Sequence, residues 1–308
     1  MMNFLNGLNL VPKNLIVNNI VDTLKTDPET GIIKLFEMSD KFASESDHYD
    51  IFEQVKEYYS SSGVAKMYLK NLIYNTDKTC LKTFIQNVAV HHFMEGLPKK
   101  GKLIENGAQV PDLINIHFEV DMTKIPISNF ESLLGRAKSM GIHIIVLTGK
   151  FSLENDSFVA VCKQHQDFIF IPFIDSQTIS SNMVHKIKDS SNFLPIAIIK
   201  ALSSDVNSRL GLMKSAGVLY GSATYYCEDE KTSDTSDPFI LNLIRQGSRV
   251  HFYITEEDAL PNHVLKGKID QIRRERPLPV FNLKTGSSGN FIVSESIRDV
   301  MISRQVLS

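Results

Sequence analysis

From Pro111 onward the chain alternates short extended apolar runs with amphipathic helical stretches, and no other feature restricts its fold as tightly. Leu113-Ile114-Asn115-Ile116-His117-Phe118-Glu119-Val120 is a period-two strand. It is followed by a helix whose face carries Phe130, Leu133, Leu134, Ala137 and Met140, with Ser128 and Glu131 at capping-box spacing and Gly141 at the closing position. Strand runs recur at His143–Leu147, Asp167–Phe173, Pro195–Ile199, Val218–Tyr226 and Arg249–Ile254. Helical stretches lie between them around Asp156–Gln164, around Met183–Ile187, before Gly217, from Asp237-Pro238 to Gly247, and around His263–Arg276. Six strand–helix units in succession predict an α/β architecture with a mainly parallel sheet. Periodicity alone leaves an open doubly wound sheet and a partial barrel as alternatives.

Upstream, residues 1–96 carry helical periodicity and little strand signal. Val17, Ile20, Val21 and Leu24 form one apolar stripe; Ile32, Ile33, Leu35, Phe36 and Met38 begin another. Asp27-Pro28-Glu29 is a helix start, with proline in the first turn and an acid at the positive end of the dipole. Gly96, Pro98 and Gly101 interrupt the pattern, so 97–111 is expected to be a linker. The barrel-like unit is assigned to 112–278 and a C-terminal appendage to 279–308. Within that appendage Val280–Leu283 and Phe291–Val293 predict a hairpin around Gly286-Ser287-Ser288-Gly289.

Composition excludes some functions. The net charge of −2 argues against nucleic acid as a partner, and the mixed-sign cluster of Arg273, Arg274 and Arg276 beside Asp270 and Glu275 predicts a solvated helix face. No apolar run reaches the ~18 residues of a membrane span, which gives no membrane and a cytoplasmic address by default. Cys80, Cys162 and Cys227 are isolated, without metal-type spacing, and are expected to be structural thiols. His91-His92 is not a metal pair, because neighbours on a helix point about 100° apart.

Several phrases, in order, resemble bacterial radical S-adenosylmethionine proteins with a helical N-terminal extension. Thr26-Asp27-Pro28-Glu29 through Asp40-Lys41-Phe42 resembles that extension. Ala137-Lys138-Ser139-Met140-Gly141-Ile142 into Leu147-Thr148-Gly149 is similar to the helix and second strand of the family's barrel, and Phe193-Leu194-Pro195-Ile196-Ala197-Ile198 to its fourth strand. The similarity runs diffusely from about residue 22 to 283. It implies a partial (β/α)6 TIM-like barrel behind an α-helical N-terminal domain.

The family's chemistry rests on residues this chain does not carry at the matching places. The C-x-x-x-C-x-x-C loop after the first strand is replaced by Met122-Thr123-Lys124-Ile125-Pro126. The G-G-E-P after the second strand is reduced to Gly149-Lys150-Phe151-Ser152, and Lys200 stands where a carboxylate often ends the fourth strand. Iron–sulfur ligation needs several positioned thiolates. The comparison therefore implies no [4Fe–4S] cluster and no cofactor, and makes S-adenosylmethionine binding doubtful. It points to a non-catalytic binding or regulatory protein, with a protein partner, such as an active relative, or a small-molecule ligand.

Asn115, His117, Glu119 and Asp121 share one strand face, and in a barrel that face points inward toward the C-terminal rim, where α/β-barrel sites gather. The candidate pocket comprises His117, Glu119, Asp121, Thr148, Gly149, Lys150, Asp175, Lys200 and Tyr225. The preferred reading pairs Glu119 or Asp121 with Lys150 or Lys200, since a buried carboxylate requires a partner. A retained small-ligand pocket and, last, metal ligation by His117, Glu119 and Asp121 are the alternatives. Two further functional readings stand beside the non-catalytic one: an enzyme reusing the rim for cofactor-independent or metal-assisted chemistry, and a structural interaction module.

Overall fold

The computed structural model describes residues 13–43, 49–119, 127–226, 235–256, 263–285 and 291–293. The N-terminal part is helical: α1 (Lys13–Thr26), α2 (Pro28–Ala43), α3 (Tyr49–Ser61), α4 (Gly63–Asn75) and α5 (Lys78–Ile85). Asp27 caps α2 through Oδ1, which accepts from the Thr30 backbone N–H at 3.3 Å, and Pro28 occupies the first position, where its missing N–H costs no bond. Val17, Ile20, Val21, Leu24, Ile32 and Met38 are buried together with Ile73, Leu81 and Ile85 in one apolar cluster. Ile33, assigned to that stripe from the sequence, is exposed instead.

The expected linker differs most from the structure. α5 continues directly into a π-helical stretch, Gln86–Gly96, and then into α6 (Leu97–Glu105). Pro98 is accommodated in the first turn of α6. Gly96 is required by tertiary packing: a Cβ there would lie 2.5 Å from the Gly141 carbonyl oxygen. Both residues look like helix breakers locally, and both are compatible with helix in this setting.

The remainder is an α/β sheet in strictly sequential order: β1 (Ile114–Phe118), β2 (Ile144–Gly149), β3 (Ile169–Asp175), β4 (Ile196–Ile198), β5 (Gly221–Tyr225), β6 (His251–Glu256), β7 (Val280–Thr285) and β8 (Phe291–Val293). Pairs β1 to β7 are parallel, and β8 returns antiparallel to β7 with Leu283 opposite Val293. The helices α7 (Ile127–Ser139), α8 (Asp156–Gln164), α9 (Ser181–Ser190), α10 (Ser204–Ala216), α11 (Asp237–Gln246) and α12 (His263–Glu275) are the crossovers. Crossovers of one hand between strands in unbroken order place every helix on the same side of the sheet. A doubly wound sheet would reverse its strand order, so the topology is that of a curled half-barrel. β1 and β8 are the two ends of the sheet, which leaves the barrel open.

Two apolar layers follow from strand alternation. The outer layer combines Phe118, Leu147, Phe170, Ala197, Tyr253 and Val280 with helix residues such as Phe130, Phe158, Ile187 and Leu243. The inner layer is built from strand residues alone: Val146, Phe173, Ile196, Ala223, Ile254 and Leu283. The predicted hairpin forms as β7–β8, with its connecting residues outside the described ones. β7 also continues the parallel sheet beyond β6, so Val280–Leu283 belongs to the half-barrel and the expected boundary at 279 falls inside it.

Arg273 differs from the solvated face expected of its cluster. It is 2% exposed, its Nε donates to the Val280 carbonyl at 2.7 Å, and its guanidinium lies 5.5 Å from the centre of the Phe281 ring. It fastens α12 to β7. Among the described residues no helix is long and apolar enough to cross a membrane.

Candidate functional site

Alternation puts one residue of each of the first five strands on the inner face at the C-terminal rim. On β1, Ile114, Ile116 and Phe118 pack against the helices, so Asn115 and His117 point inward. The same parity sends Thr148, Asp175, Lys200 and Tyr225 inward from β2, β3, the end of β4, and β5, above the apolar layer of Val146, Phe173, Ile196 and Ala223. Neighbouring strands are ~4.8 Å apart, so His117 and Tyr225 are separated by an arc of about 19 Å.

Two polar groups form along this arc. The first joins β1 and β2, where His117 and Thr148 are ladder partners. His117 Nδ1 lies 2.9 Å from Thr148 Oγ1, and that hydroxyl donates to Asn115 Oδ1 at 3.5 Å. The His117 ring itself is exposed at the end of β1. Thr148 is 4% exposed, and the buried Asn115 Nδ2 has no partner among the described residues.

The second group joins β3 and β4. Lys200 Nζ lies 2.8 Å from Asp175 Oδ2, while Asp175 Oδ1 accepts from the Gln177 N–H at 2.9 Å as the cap of a short 3-10 turn, Ser176–Thr178. Partial burial by itself would raise the Asp175 carboxyl. The Lys200 ammonium and the Gln177 N–H outweigh it and hold the group below its usual value. The hydrogen bond to Asp175 correspondingly raises Lys200.

The remaining candidates are placed differently. Glu119 is exposed just past the end of β1, and Asp121 lies outside the described residues. The expected pairing of Glu119 with Lys200 is not what forms: Lys200 takes Asp175, a near neighbour across the β3–β4 ladder. Gly149 has a backbone reason for being glycine. Its φ is +85°, and a Cβ would lie 2.4 Å from the Phe118 carbonyl oxygen, which also accepts the Lys150 N–H at 2.8 Å. Lys150 and Tyr225 are exposed at the rim.

No family model matches this chain, and no curated protein does. Solved structures similar to it include Streptococcus suis SuiB bound to S-adenosylmethionine, at 11% identity and a TM-score of 0.46, covering 82% of this chain and 73% of that one. SuiB bound to the precursor peptide SuiA is similar at 10% identity and a TM-score of 0.46, covering 83% and 78%. 3-Dehydroquinate dehydratase from Geobacillus kaustophilus HTA426 is similar at 12% identity and a TM-score of 0.41, covering 65% and 92%.

The donor set is a property of the chain itself. Cys80 is buried on α5 in the helical part, and burial pushes its thiol up to about 11. Cys162 is fully buried on α8, in the layer between helices and sheet, and burial raises it as well. Neither lies on the inner face of the strands; Cys227 is outside the described residues. Two of the three cysteines therefore do not fit a thiolate-bound cluster at the rim. Among the described residues, no three His, Cys, Asp or Glu side chains are grouped so as to hold a metal ion. His91, partly buried, hydrogen-bonds Glu95 Oε2 at 3.0 Å and stacks on His143 at 5.8 Å.

A second buried polar group was not legible in the sequence. On the helix side of the sheet, His251 Nδ1, Ser222 Oγ and Ser248 Oγ form a chain with both gaps at 2.9 Å, and Ser248 donates to the Val250 carbonyl at 2.9 Å. It superficially resembles a serine–histidine pair. His251 and Ser222 are 0% exposed, however, so no substrate reaches them. Desolvation pulls His251 down to about 3, and the group is a structural one.

Proposed function

We propose that this chain is a non-catalytic half-barrel protein of radical S-adenosylmethionine type, which binds at its rim and carries out no radical chemistry. The observation that carries this reading is the Asp175–Lys200 ion pair at the ends of β3 and β4. A cation fixed by a neighbouring carboxylate stands where the resembling family often ends its fourth strand with an acid. The burial of Cys80 and Cys162 away from the inner face supports the same conclusion, because a [4Fe–4S] cluster needs several thiolates converging on one point. No cofactor is assigned, and the binding role is directed to a small ligand or a protein partner reaching the open mouth.

A second reading has one observation in its favour. His117 is oriented by Thr148 and Asn115 and is exposed, as a general base would be. Reductive assay of the purified chain, after incubation with iron, sulfide and dithionite, separates the possibilities for the radical chemistry. The expected outcome is no 5′-deoxyadenosine from S-adenosylmethionine. Multiple turnovers of it would overturn the reading.

A further inference from the structure

At the opposite edge of the sheet from the rim, where β7 begins, the helical part meets the half-barrel around a cavity of about 150 Å³. One wall comes from α3 and α4, through Tyr58, Tyr59, Ala65, Tyr68 and Leu69; the other is the turn after α12 that carries Leu278 between two prolines. The walls are apolar almost throughout. Two of the polar ends in these walls are engaged elsewhere. The Tyr68 hydroxyl donates to the Arg249 carbonyl at 2.9 Å, and Arg276 Nη2 donates to Asp237 at 3.1 Å. Arg276 Nε, in the same wall, is buried without a hydrogen-bond partner among the described residues.

We infer that this cavity is a binding site for a small neutral molecule built on a single aromatic ring, at a position distinct from the rim site proposed above. Size and lining select that class. The space is partly open to solvent, and an apolar pocket of about this volume gives up its water to a benzene-sized guest, whereas a charged or strongly polar molecule would lose its own water and find almost no hydrogen-bonding wall. Three tyrosines around one space supply the edge-to-face partners that an aromatic ring prefers over an aliphatic one. Because the site is walled by both the helical part and the sheet, a ligand there binds only their docked arrangement. Its occupancy stabilises that arrangement in proportion to the logarithm of ligand concentration.

The test uses the full chain, with benzene and indole as probes, followed by methyl-detected NMR and thermal unfolding. The expected result is saturable shifts, intermolecular NOEs from ring protons to the Leu69 and Leu278 methyls, and a melting temperature that rises with probe concentration. Ala65→Leu fills the cavity from α4 and is expected to abolish all three. NOEs in the natural chain decide the matter even if that variant does not fold. Absence of NOEs at saturating probe overturns the inference, and so does binding that Ala65→Leu leaves unchanged in a folded protein.

Discussion

Replacing His251 with asparagine is expected to flatten the loss of stability that this protein suffers on mild acidification. In the native chain a consistent run of donors leads from His251 Nδ1–H to Ser222, from Ser222 to Ser248, and from Ser248 to the Val250 carbonyl. Nε2 is then a bare acceptor, buried without a partner among the described residues, with Phe239 and Tyr253 rings edge-on at 5.6 and 4.7 Å. Adding a proton there would place a cation in an apolar site with nothing to receive its N–H. Burial accordingly lowers the group to about 3, against an ordinary 6.5.

The folded pKa lies below the unfolded one, so between these values the unfolded chain binds one more proton than the native one. Stability is therefore fully present above 6.5 and falls as pH drops toward 3, by about 1.4 kcal/mol per unit. Between pH 6.5 and 4.5 this single group removes roughly 2 kcal/mol. Asparagine can donate to Ser222 but does not titrate. It shifts the whole curve down through lost packing while removing one proton from its slope. Urea unfolding from pH 4.5 to 7.5, for both proteins, isolates that slope, since other titrating groups are common to the pair. Parallel pH dependences, or a folded-state His251 titration near 6 by NMR, would refute the reasoning.

Other consequences are more local. Gly149→Ala is expected to cost at least ~1–2 kcal/mol from the left-handed backbone alone, and more because its Cβ meets the Phe118 carbonyl; chemical denaturation measures it. Lys200→Met removes the cation that holds Asp175 below its usual value, so the Asp175 carboxyl should titrate higher by NMR while the melting temperature scarcely moves. At pH 8, iodoacetamide should leave Cys80 and Cys162 unmodified in the native protein and label both in denaturant, mapped by mass spectrometry.

Element type was legible wherever a periodic apolar pattern ended in its own punctuation. Asp156–Gln164 needed no tertiary information, and Gly141, Gly217 and Gly247 stop their helices in left-handed conformations, with φ of +78°, +70° and +96°. Gly96 and Pro98 misled because their roles are set by a contact with Gly141 some 45 positions later and by a position in a new first turn. The place of β7 in the half-barrel depends on its parallel pairing with β6, which a hairpin pattern over Val280–Val293 does not reveal. At the rim, period-two alternation assigned His117 to the inner face from sequence, and the alternation of the other strands in the structure puts Thr148, Asp175, Lys200 and Tyr225 on the same side. Which carboxylate meets Lys200 depends on strand order in space, and Asp175 on the adjacent strand is the one that does. The His251 chain gave no signal in sequence, since its members come together only across the β5–β6 ladder.

Anaerobic reconstitution with excess iron and sulfide, then desalting, iron analysis and visible absorbance, tests the central claim most directly. The account predicts protein that retains no iron in stoichiometric amount and shows no absorption near 400 nm. One [4Fe–4S] cluster per chain would contradict it, and would mean that thiols now placed away from the inner face converge after all.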